Sequence, residues 1–101
     1  MTHELPYVHD GALTRDELLV VIADIEAGTE ILSVNLKRQQ RAHSDEQPMT
    51  LKDALDQLLE GAATGLQVRY RYAGREYWDT LLRAPGGFRI VRIDHTATLS
   101  L

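Results

Sequence analysis

The chain contains no cysteine. That excludes a disulfide framework, a thiolate metal site and a cysteine nucleophile, and it suits a reducing compartment. No apolar run approaches the ~20 residues needed to span a bilayer. The opening MTHELPYVHDGAL has neither the basic nor the apolar region of a signal peptide. A cytoplasmic protein with no membrane partner is the expectation.

Catalytic and metal-binding patterns are equally scarce. His3, His9, His43 and His95 are dispersed, with no H-x-H or H-x-x-x-H spacing. Neither a metal nor a cofactor is expected. Ser33, Ser44 and Ser100 lie in no G-x-S-x-G elbow. Asp53, Asp56 and Glu60 read as a solvated helix face. Glu76 and Asp79 fall on opposite sides of any strand that carries them, which makes a poor acid–base pair. Pro85-Gly86-Gly87 is followed by no helix start, so it is a turn and not a phosphate loop. The expectation is a protein that is not an enzyme.

What is present is a soluble domain. The 101 residues, 44% apolar and 26% charged, suffice for one hydrophobic core, so residues 1–101 are read as a single domain. The informative stretch is its last third. Leu66, Val68, Tyr70 and Tyr72 alternate with Gln67, Arg69 and Arg71, the period of a half-buried strand. Gly74 and Pro85-Gly86 supply two turns, and the runs 75–83 and 88–93 are rich in strand formers. Residues 65–95 are therefore expected to form a three-stranded antiparallel meander.

The register of the first hairpin decides which side chains face out. A two-residue loop at Ala73-Gly74 sets Tyr70 opposite Tyr77 and Arg69 opposite Trp78. A three-residue loop with a bulged Gly74 sets Val68 opposite Trp78 and Arg69 opposite Tyr77. The second is favoured here, because it keeps Asp79 on the polar face with Gln67 and Arg69.

Residues 1–12 show no period and read as a flexible arm. Thr14-Arg15-Asp16-Glu17 is a capping box. Leu18, Ile22, Ile25, Thr29, Leu32 and Leu36 then follow a heptad-like seam across 13–43. Gly28 interrupts it, and glycine commonly ends helices. A break there would free Leu32, Val34 and Leu36 to form a strand. The seam and the basic end at Lys37, Arg38 and Arg41 favour one long helix. Residues 44–49 form a polar linker. A second helix over 50–61 is capped by Thr50 and buries Leu51, Ala54, Leu55 and Leu58. The fold expected is α+β, with N-terminal helices packed on one face of a C-terminal three-stranded antiparallel β-meander.

The net charge of −4 is unevenly spread. Residues 1–65 carry twelve acids against five bases, and residues 66–101 carry six arginines against three acids. One reading is that the two halves attract each other. The other is a basic docking face. From the second comes the functional expectation: a small non-catalytic accessory module engaging an acidic protein partner. Its partner-binding residues would be Arg69, Arg71, Arg75, Tyr77, Trp78, Arg83 and Arg89, residue types enriched at hot spots. A homodimer is a variant, because sheet edges and a heptad seam can each pair with a copy. Weak RNA or DNA binding by the same basic face is the alternative. It is less favoured because the chain is acidic overall.

Overall fold

The structure, a computed structural model, describes residues 8–38 and 49–95. In chain order the elements are β1 (Val8–Leu13), α1 (Arg15–Gly28), β2 (Glu30–Lys37), α2 (Leu51–Glu60), β3 (Gly65–Tyr72), β4 (Arg75–Ala84) and β5 (Gly87–Asp94). The strands form one five-stranded sheet in the order β1-β5-β4-β3-β2, with every neighbouring pair antiparallel.

The capping box forms. The Thr14 amide donates to Glu17 Oε1 at 2.8 Å, and the Glu17 amide donates to Thr14 Oγ1 at 3.0 Å. From there α1 buries Leu18, Ile22 and Ile25 on one stripe. The helix stops at Gly28, and the Thr29 amide and hydroxyl both donate to the Ile25 carbonyl, at 3.1 and 2.7 Å. The continuous helix over 13–43 is thereby corrected. Past Gly28 a helix would place Leu32 and Leu36 on the seam but leave Ile31 and Val34 off it. As a strand, the same residues turn Ile31, Val34 and Leu36 toward the core, and only Leu32 is left exposed, at a bulge between Ile31 and Ser33.

The expected architecture is corrected in the same way. The meander β3-β4-β5 exists, but it is the middle of a larger sheet. Both of its edges are extended by the N-terminal half: β1 pairs with β5, and β2 pairs with β3. Residues 8–12 of the expected arm belong to β1, and most of the 44–49 linker lies outside the described residues. The added strands pair with the edges of the meander, so the edges of the sheet move out to β1 and β2. Because β1 and β2 occupy opposite edges, α1 must cross the sheet. Four inter-strand spacings span about 19 Å, and fourteen helical residues span about 21 Å.

Both helices cover the same face. The core joins Leu18, Ile22 and Ile25 of α1 and Leu51, Ala54, Leu55 and Leu58 of α2 to Leu66, Val68, Tyr70, Leu81, Phe88 and Ile90 of the sheet. Thr50 caps α2 through the Asp53 amide at 3.0 Å, and Gly61 ends it in the left-handed region at φ 86°.

The first hairpin takes the register that was not expected. Tyr70 pairs with Tyr77 and Arg69 with Trp78 across a two-residue loop, with Ala73 at φ 54° and Gly74 at φ 80°. Positive φ at both positions is the type I′ turn, whose twist matches that of the strands. Alanine is a poor residue for it, since a Cβ in the left-handed region costs roughly 1–2 kcal/mol. The second hairpin turns at Pro85-Gly86, with Gly86 at φ 80°. There Gly87 passes so close to β1 that a Cβ would lie 2.7 Å from the Leu13 carbonyl oxygen.

These two turns give opposite expectations. Ala73→Asn should raise stability by about 1 kcal/mol, since Asn-Gly is the preferred I′ pair. Gly87→Ala should lower it by roughly 1–3 kcal/mol through the forced separation of β1 and β5. Chemical denaturation of the two variants beside the parent checks both signs.

Candidate functional site

The registers sort every strand residue onto a side. Arg69 of β3, Trp78 of β4 and Ile93 of β5 are consecutive cross-strand partners on the face away from the helices. Gln67, Thr80 and Val91 make the next row, and Leu82 with Arg89 a third. No described helix covers this open face. At its centre the Arg69 guanidinium lies 4.5 Å from the centroid of the Trp78 ring, a cation–π contact. The His95 ring packs against the same indole, with centroids 4.1 Å apart.

Glu76 ties the group together. Its Oε2 accepts from Trp78 Nε1 at 3.0 Å and from Arg69 Nη2 at 3.2 Å. The indole hydrogen bond and the guanidinium together hold the Glu76 carboxyl below its usual range. Gln67 Nε2 donates to Thr80 Oγ1 at 3.2 Å beside them. Two further arginines flank the strip, each held by a carboxylate of the N-terminal half. Arg71 pairs with Glu30 at 3.2 Å, and Arg89 grips Asp10 with two donors, Nε at 2.8 Å. Those contacts leave Arg69, Arg71 and Arg89 with side chains 38%, 49% and 53% exposed. Ser33 Oγ and Arg69 Nε, on directly opposed residues of this face, are buried and unpartnered.

Of the seven residues expected to form one surface, Arg69, Arg71, Trp78 and Arg89 do share the open face. Arg75, Tyr77 and Arg83 lie on the other side of β4, for reasons visible in their contacts. Tyr77 stacks on Tyr70 with centroids 5.5 Å apart. Arg75 Nη1 donates to Asp94 at 2.8 Å. Arg83 Nη1 donates to the Leu58 carbonyl at 2.6 Å, occupying an acceptor at the C-terminal end of α2, where positive charge is favourable. The Arg83 guanidinium also lies 5.7 Å from the Phe88 ring centroid.

Compared with protein-family models, curated proteins and solved structures, the chain has no match. Function must therefore be argued from chemistry alone. Among the described residues no three His, Cys, Asp or Glu side chains converge on a metal-sized site. Likewise, no described helix is long and apolar enough to cross a membrane.

Sequence reasoning missed the polar cluster under the helices. Asp79 is wholly buried on β4. Arg92 of β5 donates to it twice, Nε to Oδ1 at 2.9 Å and Nη2 to Oδ2 at 2.8 Å. The Tyr70 hydroxyl on β3 adds a third donor at 3.0 Å. The signal was the pairing itself: with a two-residue loop at Pro85-Gly86, Asp79 falls opposite Arg92. Burial first, and then the Asp79 charge, push the Tyr70 phenol well above its ordinary 10.0. The hydrogen bond to Asp79 raises Arg92 in turn. With Arg92 Nε and Nη2 and the Tyr70 hydroxyl all aimed at it, the Asp79 carboxylate is held in place inside the fold.

Arg92→Met alone should destabilise by about 3–5 kcal/mol, because it strands a buried carboxylate. Asp79→Leu combined with Arg92→Met should recover most of that loss. A denaturant series on the two variants and the parent measures the difference.

Alkaline pH probes the same cluster. The folded state holds the Tyr70 proton more tightly than the unfolded chain does. Its contribution is complete below pH 10.0 and is lost as pH climbs beyond that value. The parent should lose stability above that pH, and Tyr70→Phe should show a shallower alkaline limb, read from denaturation midpoints against pH.

Proposed function

We infer that the chain is a small binding module without a catalytic site, and that its open sheet face docks a protein partner. The observation that carries this is the one-sidedness of the helices. It leaves a strip of Trp78, Val91, Ile93 and Leu82 on the far face, rimmed by three half-exposed arginines. An apolar centre with an indole, ringed by guanidinium groups, is the composition of a protein-binding hot spot.

The partner's chemistry follows from the rim. Each rim arginine already holds a carboxylate of this chain: Glu76, Glu30 and Asp10. At Arg71 and Arg89 a partner carboxylate replaces an ion pair that is largely exposed and therefore weak, whereas Arg69 stays tied to the mostly buried Glu76. The binding energy must come mainly from apolar contact over Trp78, with acidic groups fixing orientation. The reading is thus a segment that combines Asp or Glu with a large apolar side chain. Nucleic acid fits less well, because among the described residues Trp78 is the one tryptophan or tyrosine sharing a face with Arg69, Arg71 and Arg89, and stacking platforms use several rings. A cytoplasmic setting belongs to the same reading, from the absence of cysteine.

The test uses selection from a random peptide display library, followed by titration of synthetic winners. Trp78 is the only tryptophan, so its fluorescence reports on the face directly. Winners should pair acidic with aromatic or leucine residues and shift that emission. Arg69→Glu with Arg71→Glu should weaken them by about tenfold or more, equivalent to ~1.4 kcal/mol. Winners without acidic residues, or winners that leave the emission unchanged, would sink the reading.

A further inference from the structure

The sheet ends on β2, and among the described residues no strand pairs with its outer edge. An open edge of eight residues is long enough to template another strand. Which strand it fits can be read from its own register. The extra residue Leu32 bulges out, so β2 presents seven positions to β3: Glu30, Ile31, Ser33, Val34, Asn35, Leu36 and Lys37. Ile31, Val34 and Leu36 face the helices, and the remaining four share the open face.

Seven positions have a middle, and it is Val34. In an antiparallel pair of two copies about a two-fold axis through Val34, Asn35 meets Ser33, Leu36 meets Ile31 and Lys37 meets Glu30. Every pair then has both members on the same side of the joined sheet, as strand pleating demands. Like meets like in polarity, and the only two charged positions meet their opposites at both ends. Isologous contacts of this kind close a dimer. The bulge is what makes it work. Without Leu32 as an extra residue, Ile31 and Leu36 would fall on opposite faces.

The other edge does not match itself. β1 is unbulged, so its two-fold must pass through a residue to keep faces aligned. Centred on Asp10 it opposes two carboxylates, and centred on Gly11 it stacks two glycines with no side chains to pair.

We propose that β2 is the dimerisation edge, pairing antiparallel with β2 of a second copy to give one continuous ten-stranded sheet. Both open faces stay on the same side of that sheet. Glu30, which also holds Arg71, lies where the two surfaces meet. The dimer rests on the register of β2 and not on the partner-binding reading above. Charged ends and a bulge are also the devices by which monomeric proteins shield an edge, and the experiment distinguishes the two roles.

Sedimentation velocity of the full chain over a concentration series is the measurement. The parent should shift with concentration from 11.4 kDa toward twice that mass. Lys37→Glu sets like charges opposite each other at both ends of the contact and should weaken the dimer by about tenfold. Glu30→Lys in the same chain restores opposite charges and should recover it. Asn35→Lys, at an exposed position near the centre, should leave a monomer. Circular dichroism with cooperative unfolding shows that each variant is folded. A parent that stays monomeric at every concentration overturns the proposal. So does a dimer indifferent to Lys37→Glu and Asn35→Lys, or one that the charge swap fails to rescue.

Discussion

A buried carboxylate organises this sheet. Asp79 sits in the middle strand with no exposed surface, and a carboxylate there is tolerated only when paired and hydrogen-bonded. Its donors come from both flanking strands, Tyr70 of β3 and Arg92 of β5. One side chain thereby clamps three strands in a single register. A slip of one residue in the first hairpin would take Tyr70 away and move Asp79, Leu81 and Tyr77 to the wrong side together, and a slip in the second would turn Arg92 away from Asp79. The unfavourable φ of Ala73 is tolerated within the same constraint, because only the two-residue turn brings β4 to that register.

The sidedness of the sheet follows from the order of its strands. With β1 and β2 at opposite edges, α1 must traverse one face from end to end, and α2 connects β2 to β3 on that same face. The second face receives no described helix. The polarity of the chain's two halves is used here. Asp10 and Glu30, from the acidic half, are carried to the edges by β1 and β2, where they meet Arg89 and Arg71 of the basic half. Attraction between the halves thus accounts for part of the charge asymmetry, and it leaves each of the three outward arginines paired with a carboxylate of the chain itself.

How much of this could be read in advance depended on whether a signal was local. The capping box at Thr14, the buried stripe of α2, the alternation of β3 and the Pro85-Gly86 turn are set by neighbours in sequence, and all were legible. β2 was not, because Leu32 and Leu36 extend the heptad spacing of α1 by coincidence, and only the bulge and the pairing with β3 separate strand from helix. β1 was not either. Asp10-Gly11-Ala12 has little strand propensity, and it is extended because β5 offers it an edge. The hairpin register turned on whether a buried Asp79 could find partners, and one of them, Arg92, lies on the next strand.

The candidate site was half legible for a related reason. The six arginines of the C-terminal third look like one basic surface in sequence. Strand parity divides them evenly once the registers are known. Arg69, Arg71 and Arg89 face out, while Arg75, Arg83 and Arg92 turn to the helical side. The inward three each satisfy a group inside the fold: Asp94, the last turn of α2, and Asp79. Of the outward three, Arg71 and Arg89 hold carboxylates open to solvent, while Arg69 holds the mostly buried Glu76. The two sets are therefore not equivalent. Removing Arg92 takes two charge-assisted donors from a wholly buried carboxylate, whereas Arg71 and Arg89 act on carboxylates at the surface. A basic segment can serve as a binding face only to the extent that its charges are not already committed, and on the open face each of the three arginines already holds a carboxylate.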